Sequence, residues 1–172
     1  LEQHVQGPLS LSLTANVRDL LQQLDWQAEA RLSDIDPRRL DPRFPAIGGT
    51  LHLKGQGDLN TATLSGDADG VYADQGPFGA RFTLHRLADN TLNIESLVLN
   101  APDSDTRLNV RGDWRPGDGG GQVALDLDWR NLRWPLKTGA WFSSASGEGR
   151  IEGRIDQYRL TLTTDRPWPQ VP

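Results

Sequence analysis

The chain has no cysteine, which removes disulfides, thiolate-bound zinc and a cysteine nucleophile at one stroke. The compartment stays open, and an oxidising one, where a stray thiol is a liability, suits the composition. Methionine is absent too, even at position 1, so the chain is expected to be cut from something longer. Lysine is nearly absent: Lys54 and Lys137 are the two among 18 basic residues. With a formal net charge of -5, no face can be dominated by cations, which argues against a nucleic-acid partner. There is no signal-peptide pattern and no run of eighteen apolar residues, so any membrane anchor is expected outside these residues.

Turn formers are plentiful. Eighteen glycines and eleven prolines among 172 residues point to many turns and few long helices. An apolar fraction of 36% suits a sheet with one wet face. The chain is organised around residues 32–57, "LSDIDPRRLDPRFPAIGGTLHLKGQG". Pro37, Pro42 and Pro45 cannot donate to a ladder and mark a turn. Gly48 and Gly49 then open an alternating strand through Leu51 and Leu53. A looser copy lies near the end of the chain, with Leu132 in the place of Ile35, Gly147 of Gly49, Ile151 of Leu53 and Gly153 of Gly55. That near-constant offset suggests an internal repeat.

Period-two alternation runs through most of the rest and predicts roughly nine or ten strands. Leu9, Leu11 and Leu13 share a face, as do Trp26, Ala28, Ala30 and Leu32. Ala62 and Leu64 begin a strand expected to weaken at Gly66 and end by Gly70. Phe78, Ala80, Phe82 and Leu84 alternate, as do Leu92 and Ile94. Leu97 and Leu99 fall out of step, which a β-bulge near Glu95 or Ser96 would correct. Leu108, Val110 and Trp114 follow, then Val123, Leu125, Leu127 and Trp129. Residues 134–147 read as irregular, and Arg150–Ile155 with Arg159–Thr163 as a last strand pair. The tail 165–172 is a Pro-rich exit. Val17, Leu20, Leu21 and Leu24, behind Asn16 as N-cap, predict one short helix over about 17–24.

The expected class is therefore all-β, one antiparallel sheet with an apolar face, as the connections are too short for crossover helices. That face must be covered. Two sheets can stack as a sandwich, one can close as a barrel, or one can fold into a U-shaped groove with an apolar interior. The residues placed to line such a groove are Leu11, Leu13, Leu51, Leu53, Leu64, Phe82, Leu84, Leu92, Ile94, Leu108, Val110, Val123, Leu125, Leu127, Ile151 and Leu162.

Catalytic signals are weak. His4, His52 and His85 are scattered, with no ligand-spaced pair, so no metal site or acid–base centre is expected. Asp34, Asp36, Asp41, Asp103 and Asp105 cluster in turns, where carboxylates cap backbone; they lack the Gly and Glu of an EF-hand loop. Ser143, Ser144 and Ser146 have no histidine in pattern. "GEGRIEG" lacks the Lys-Ser/Thr of a phosphate loop and sits in a strand. Neither enzyme chemistry nor a cofactor is expected. Trp114, Trp129, Trp134 and Trp141 suit either core plugs or the mouth of an amphiphile groove.

The fragments "LSDIDPRRLDP…GGTLHLKGQG" and "LDLDWRNLRWPL…SGEGRIEGRI" resemble the TamB family, of the larger group of AsmA-like, repeating β-groove proteins. The resemblance lies in the order of several turn–strand pieces; its sharpest part is Asp126–Leu136 followed by Ser146–Gly153. It implies a periplasmic segment, residues 1–172 forming one groove module, of a protein anchored in the inner membrane of a Gram-negative bacterium. It implies a "β-taco" fold and work with TamA, an Omp85-type outer-membrane barrel, in outer-membrane protein assembly and phospholipid movement. TamA would be met by regions outside these residues. The cargo implied is phospholipid acyl chains; strands of unfolded outer-membrane proteins, received by β-augmentation, are the chaperone alternative. A closed carbohydrate-binding sandwich is the third.

Overall fold

A computed structural model of the chain describes residues 2–5, 10–18, 24–39, 41–43, 46–117, 120–136, 139–140 and 142–165. They form one all-β sheet of eleven strands: β1 (Glu2–Val5), β2 (Ser10–Arg18), β3 (Asp25–Ile35), β4 (Ile47–Gly57), β5 (Ala62–Tyr72), β6 (Gly76–Arg86), β7 (Leu92–Ala101), β8 (Thr106–Arg115), β9 (Gln122–Trp134), β10 (Phe142–Arg154) and β11 (Gln157–Thr164). Strand order in space follows the chain, and every neighbouring pair is antiparallel. β1 and β11 do not pair, so the sheet is an open meander and no barrel closes. Eleven strands at about 4.8 Å give a sheet roughly 48 Å wide.

The alternation read from the sequence sets the facing. Directly opposed residues of antiparallel strands share a face. Ser12, Arg31, His52, Asp67 and Arg81 fall on the polar side, in register from β2 to β6. His52 accepts no catalytic geometry there. It bridges strands, with Nε2 2.9 Å from Glu29 Oε1 and Nδ1 3.6 Å from Asp67. The His52 hydrogen bond, more than any neighbouring cation, holds the Glu29 carboxyl below its usual range. His85 similarly links Thr63 (3.1 Å) to Glu95 (2.7 Å).

The bulge appears where the phase slip requires it. Thr83 pairs Ser96 and Leu84 pairs Ile94, which leaves Glu95 as the extra residue of β7. Leu97 and Leu99 thereby rejoin the apolar face. A second bulge lies between Leu32 and Ile35, where Asp34 takes a left-handed φ of 58°. Asn131 in β9, with φ 49°, stands at the same place relative to Trp129 and Leu132. The two strands share a left-handed residue at matching places, but β9 keeps its register with β10 across Asn131, so the bulge of β3 is not repeated. In the following strands the equivalence moves by two residues: Trp129 pairs Gly147 as Leu32 pairs Leu51, so the ladder matches Gly147 with Leu51 and not with Gly49.

The predicted helix is corrected. Asn16, Val17 and Arg18 complete β2, paired with Gln27, Trp26 and Asp25, and Leu24 is in no regular element. Val17 keeps the period-two phase of Leu11, Leu13 and Ala15, and its ladder to β3 overrides a local helical spacing. Residues 19–23, with Leu20 and Leu21, lie outside the described residues, as do Leu9, Pro45, Trp141 and the tail 166–172. The described helical turns are three short 3-10 segments, Pro37–Arg39, Ala73–Gln75 and Pro102–Ser104. β5 does not end at Gly70 but runs to Tyr72, because rings of β6 cover its glycines. Residues 142–147 belong to β10, whose pairing with β9 fixes the strand order there.

Turns are held by carboxylates. Asp58 accepts the backbone N–H groups of Asn60 and Thr61 at 2.6 Å each and the Thr61 hydroxyl at 3.1 Å, closing the β4–β5 hairpin. The Thr61 and Asn60 N–H groups pull its pKa below 3.8. A group depressed in the fold stabilises above its unfolded pKa and stops doing so as the pH falls through the folded one. Asp58→Ala is expected to lower the melting temperature by a few degrees at pH 7. The difference from the parent should shrink below pH 3.8; thermal melts at pH 7 and pH 2.5 check it.

Candidate ligand-binding trough

Four consecutive rows cross the apolar face from β2 to β11, ten residues to a row. The first row runs Leu11, Leu32, Leu51, Ala68, Ala80, Leu99, Leu108, Trp129, Gly147, Thr164. The second is Leu13, Ala30, Leu53, Gly66, Phe82, Leu97, Val110, Leu127, Gly149, Leu162. The third is Ala15, Ala28, Gly55, Leu64, Leu84, Ile94, Gly112, Leu125, Ile151, Leu160. The fourth is Val17, Trp26, Gly57, Ala62, Arg86, Leu92, Trp114, Val123, Gly153, Tyr158. All sixteen residues placed in a groove by the sequence fall in these rows. The rows also bring in Leu32, Leu97, Leu99 and Leu160, which the list had left out. The first three were visible as alternating positions, two of them masked by the bulge.

The sheet is concave toward this face. Tyr72 of β5 and Trp134 of β9 stack with ring centroids 6.4 Å apart and planes at 26°. In a flat sheet four strand spacings would hold them about 19 Å apart. Tyr72 continues the apolar face of β5 beyond Gly70 and Ala68. Beside the stack, the Leu136 N–H donates to Gln75 Oε1 at 2.9 Å, tying the end of β9 to the β5–β6 connection. The Tyr72 end of the trough is therefore drawn in.

Yet the interior is not sealed. No described side chain is less than 2% exposed, and the apolar residues that are buried are Ala101, Val110 and Trp129. Leu64, Leu162 and Leu160 remain 36–48% exposed. One open recess of 380 Å³ lies at the rim, where Trp26, Gly57 and Ala62 of the fourth row meet Asp25, Gln27, Gln56, Asp58 and Thr61.

Glycine shapes the floor. A Cβ on Gly66 would sit 2.8 Å from Phe82 Cζ and 2.9 Å from Leu53 Cδ2, and one on Gly70 2.9 Å from Phe78 Cζ. Trp129 likewise lies over Gly147. Rings thus occupy the space that side chains would take at the neighbouring glycines. Trp129, 7% exposed, is a plug, and its indole N–H donates to Ser144 Oγ at 2.9 Å. Ser144 in turn meets Thr164 and Asp165, which makes it a node joining β9, β10 and the end of β11. Trp134, 42% exposed, sits at the mouth, and Trp114 donates to the Gly120 carbonyl at 3.0 Å. Of the two readings of the tryptophans, the core plug describes Trp129, whereas Trp134 is exposed.

Among the described residues no three His, Asp or Glu side chains gather around a common point. Asp36 and Asp41 cap the backbone of Arg38 and Arg43, and Asp105 accepts from Asn131. No described helix is long and apolar enough to cross a membrane. Comparison of the chain with protein-family models, with curated proteins and with solved structures finds no match.

Proposed function

We propose that the chain is a groove segment that shields hydrocarbon from water, as its resemblance to TamB implies. In that reading it is periplasmic, part of a protein anchored in the inner membrane, and its cargo is phospholipid acyl chains. An Omp85-type partner would be met through regions outside these residues. One observation carries the reading: a concave face of forty laddered positions that is apolar almost throughout and yet holds no fully buried side chain. Such a face is left with uncovered area, and each Å² of it that cargo removes from water contributes roughly 25 cal/mol. No single residue need be specific, because many weak contacts add up along the trough.

The test is mass spectrometry of lipids that copurify with the chain. Phospholipid is expected in stoichiometric amounts. Recovery of none, with no uptake of added lipid, would sink the proposal.

The chaperone reading has one observation of its own. β11 pairs with β10 alone, and its Tyr158, Leu160 and Leu162 are 38–61% exposed. An open edge of this kind is a template for an added strand. Thr161→Pro would cripple strand addition and spare lipid uptake. The sandwich reading loses its fold, since the described strands make one sheet.

A further inference from the structure

We infer that the Trp26 end of the trough is a headgroup site for an anionic amphiphile, with Arg86 as its cation. The inference rests on the trough reading above. Among the forty positions of the four rows, Arg86 is the one charged residue. It shares the face of Leu84, Phe82 and Ala80 and sits in the fourth row between Ala62 and Leu92. Its Nη2 donates to the Leu59 carbonyl at 2.9 Å. A guanidinium has five N–H donors, so most remain for another partner. Among the described residues it makes no ion pair within 4 Å; its charge acts through space on Asp58 of the adjoining hairpin, whose oxygens are already engaged by three donors.

The fourth row differs from the others in a second respect. It carries Trp26, Trp114 and Tyr158, side chains with an apolar body and a polar tip, which suit a boundary between hydrocarbon and water. From that row to the first, a strand runs six residues, about 20 Å. Every side chain on the way is apolar or absent. The opposite end is narrowed by Tyr72 and Trp134. A strip with a cation at its open end and hydrocarbon along its length matches a molecule with an anion at one end of a tail. A guanidinium suits a phosphate or carboxylate through paired, charge-assisted hydrogen bonds. A neutral head gains little there, and a cationic head is repelled.

The experiment titrates the chain with dodecyl phosphate, dodecyl maltoside and dodecyltrimethylammonium below their micelle concentrations, and with inorganic phosphate, by calorimetry. Dodecyl phosphate is expected to bind about tenfold more tightly than the maltoside, and the trimethylammonium least tightly. Inorganic phosphate alone should not saturate a site. Arg86→Gln, which removes the charge and keeps a polar side chain of similar bulk, should bring dodecyl phosphate to the maltoside level and leave the maltoside unchanged. Arg86→Lys should keep the preference for an anion. Retention of that preference in Arg86→Gln, or phosphate binding as tight as dodecyl phosphate, would overturn the assignment. Equal binding of the three amphiphiles removes the Arg86 site alone; binding of none removes the trough with it.

Discussion

Gly147→Val is expected to destabilise the sheet strongly. The Cβ of any larger residue would overlap the Trp129 ring and approach the Thr163 carbonyl oxygen to 2.6 Å. Backbone on one side cannot yield, so the ring must. Trp129 is one of the few buried side chains, and its N–H is bonded to Ser144, itself 3% exposed. Displacing the indole opens that bond and leaves Ser144 to Thr164, Asp165 and the Ser146 carbonyl. Overpacking costs about 1–3 kcal/mol and loss of the buried hydrogen bond about a further 1 kcal/mol. For a domain of this size that is a fall in melting temperature of roughly 5–15 °C. Calorimetry measures it, and tryptophan emission should shift to the red as the ring meets water. Gly48→Val is the control, since nothing lies within 4 Å of a Cβ there. Equal melting of the two variants would show that the ring is not held as described.

The same glycines explain what the sequence conveyed and what it hid. Facing was legible because period-two alternation is local: Leu51 and Leu53, or Leu125 and Leu127, need no tertiary information to be placed on one side. The phase slip at Leu97 likewise announced a bulge. Gly66 and Gly70 misled, since a bare residue weakens a strand in isolation, whereas here rings from β6 supply the missing surface. The Val17–Leu24 spacing misled in the opposite direction. It satisfied a helix over a few residues, but Val17 also continued a strand whose partner, Trp26, restored the alternation. Closure could not be read locally, because it depends on Tyr72 and Trp134, 62 residues apart, meeting across the trough. Nor could the significance of Arg86. One arginine among sixteen is unremarked in the sequence until the ladder shows that it stands on the apolar face.

A charge placed in the middle of the trough should abolish cargo binding while leaving the fold. Leu53 and Leu125 lie in the second and third rows, half-buried and facing the open interior. Both positions are part-exposed, so a charge there keeps contact with water in the empty trough. The folding cost of Leu53→Asp or Leu125→Arg is then about 1–3 kcal/mol, the range for a polar group incompletely solvated. Hydrocarbon laid over the same spot would strip that water from a charge, and the cost of doing so outweighs the contacts of several methylenes at about 0.8 kcal/mol each. Lipid recovered with the purified chain is expected to fall at least about tenfold, with far-ultraviolet circular dichroism unchanged and melting still cooperative. Gln56→Arg, three residues from Leu53 but exposed on the polar face, should bind as the parent does. Folded Leu53→Asp and Leu125→Arg chains that carry lipid normally would mean that hydrocarbon does not lie on this face. The open edge of β11 would then be the surface to examine, because strand addition uses backbone groups that neither substitution touches.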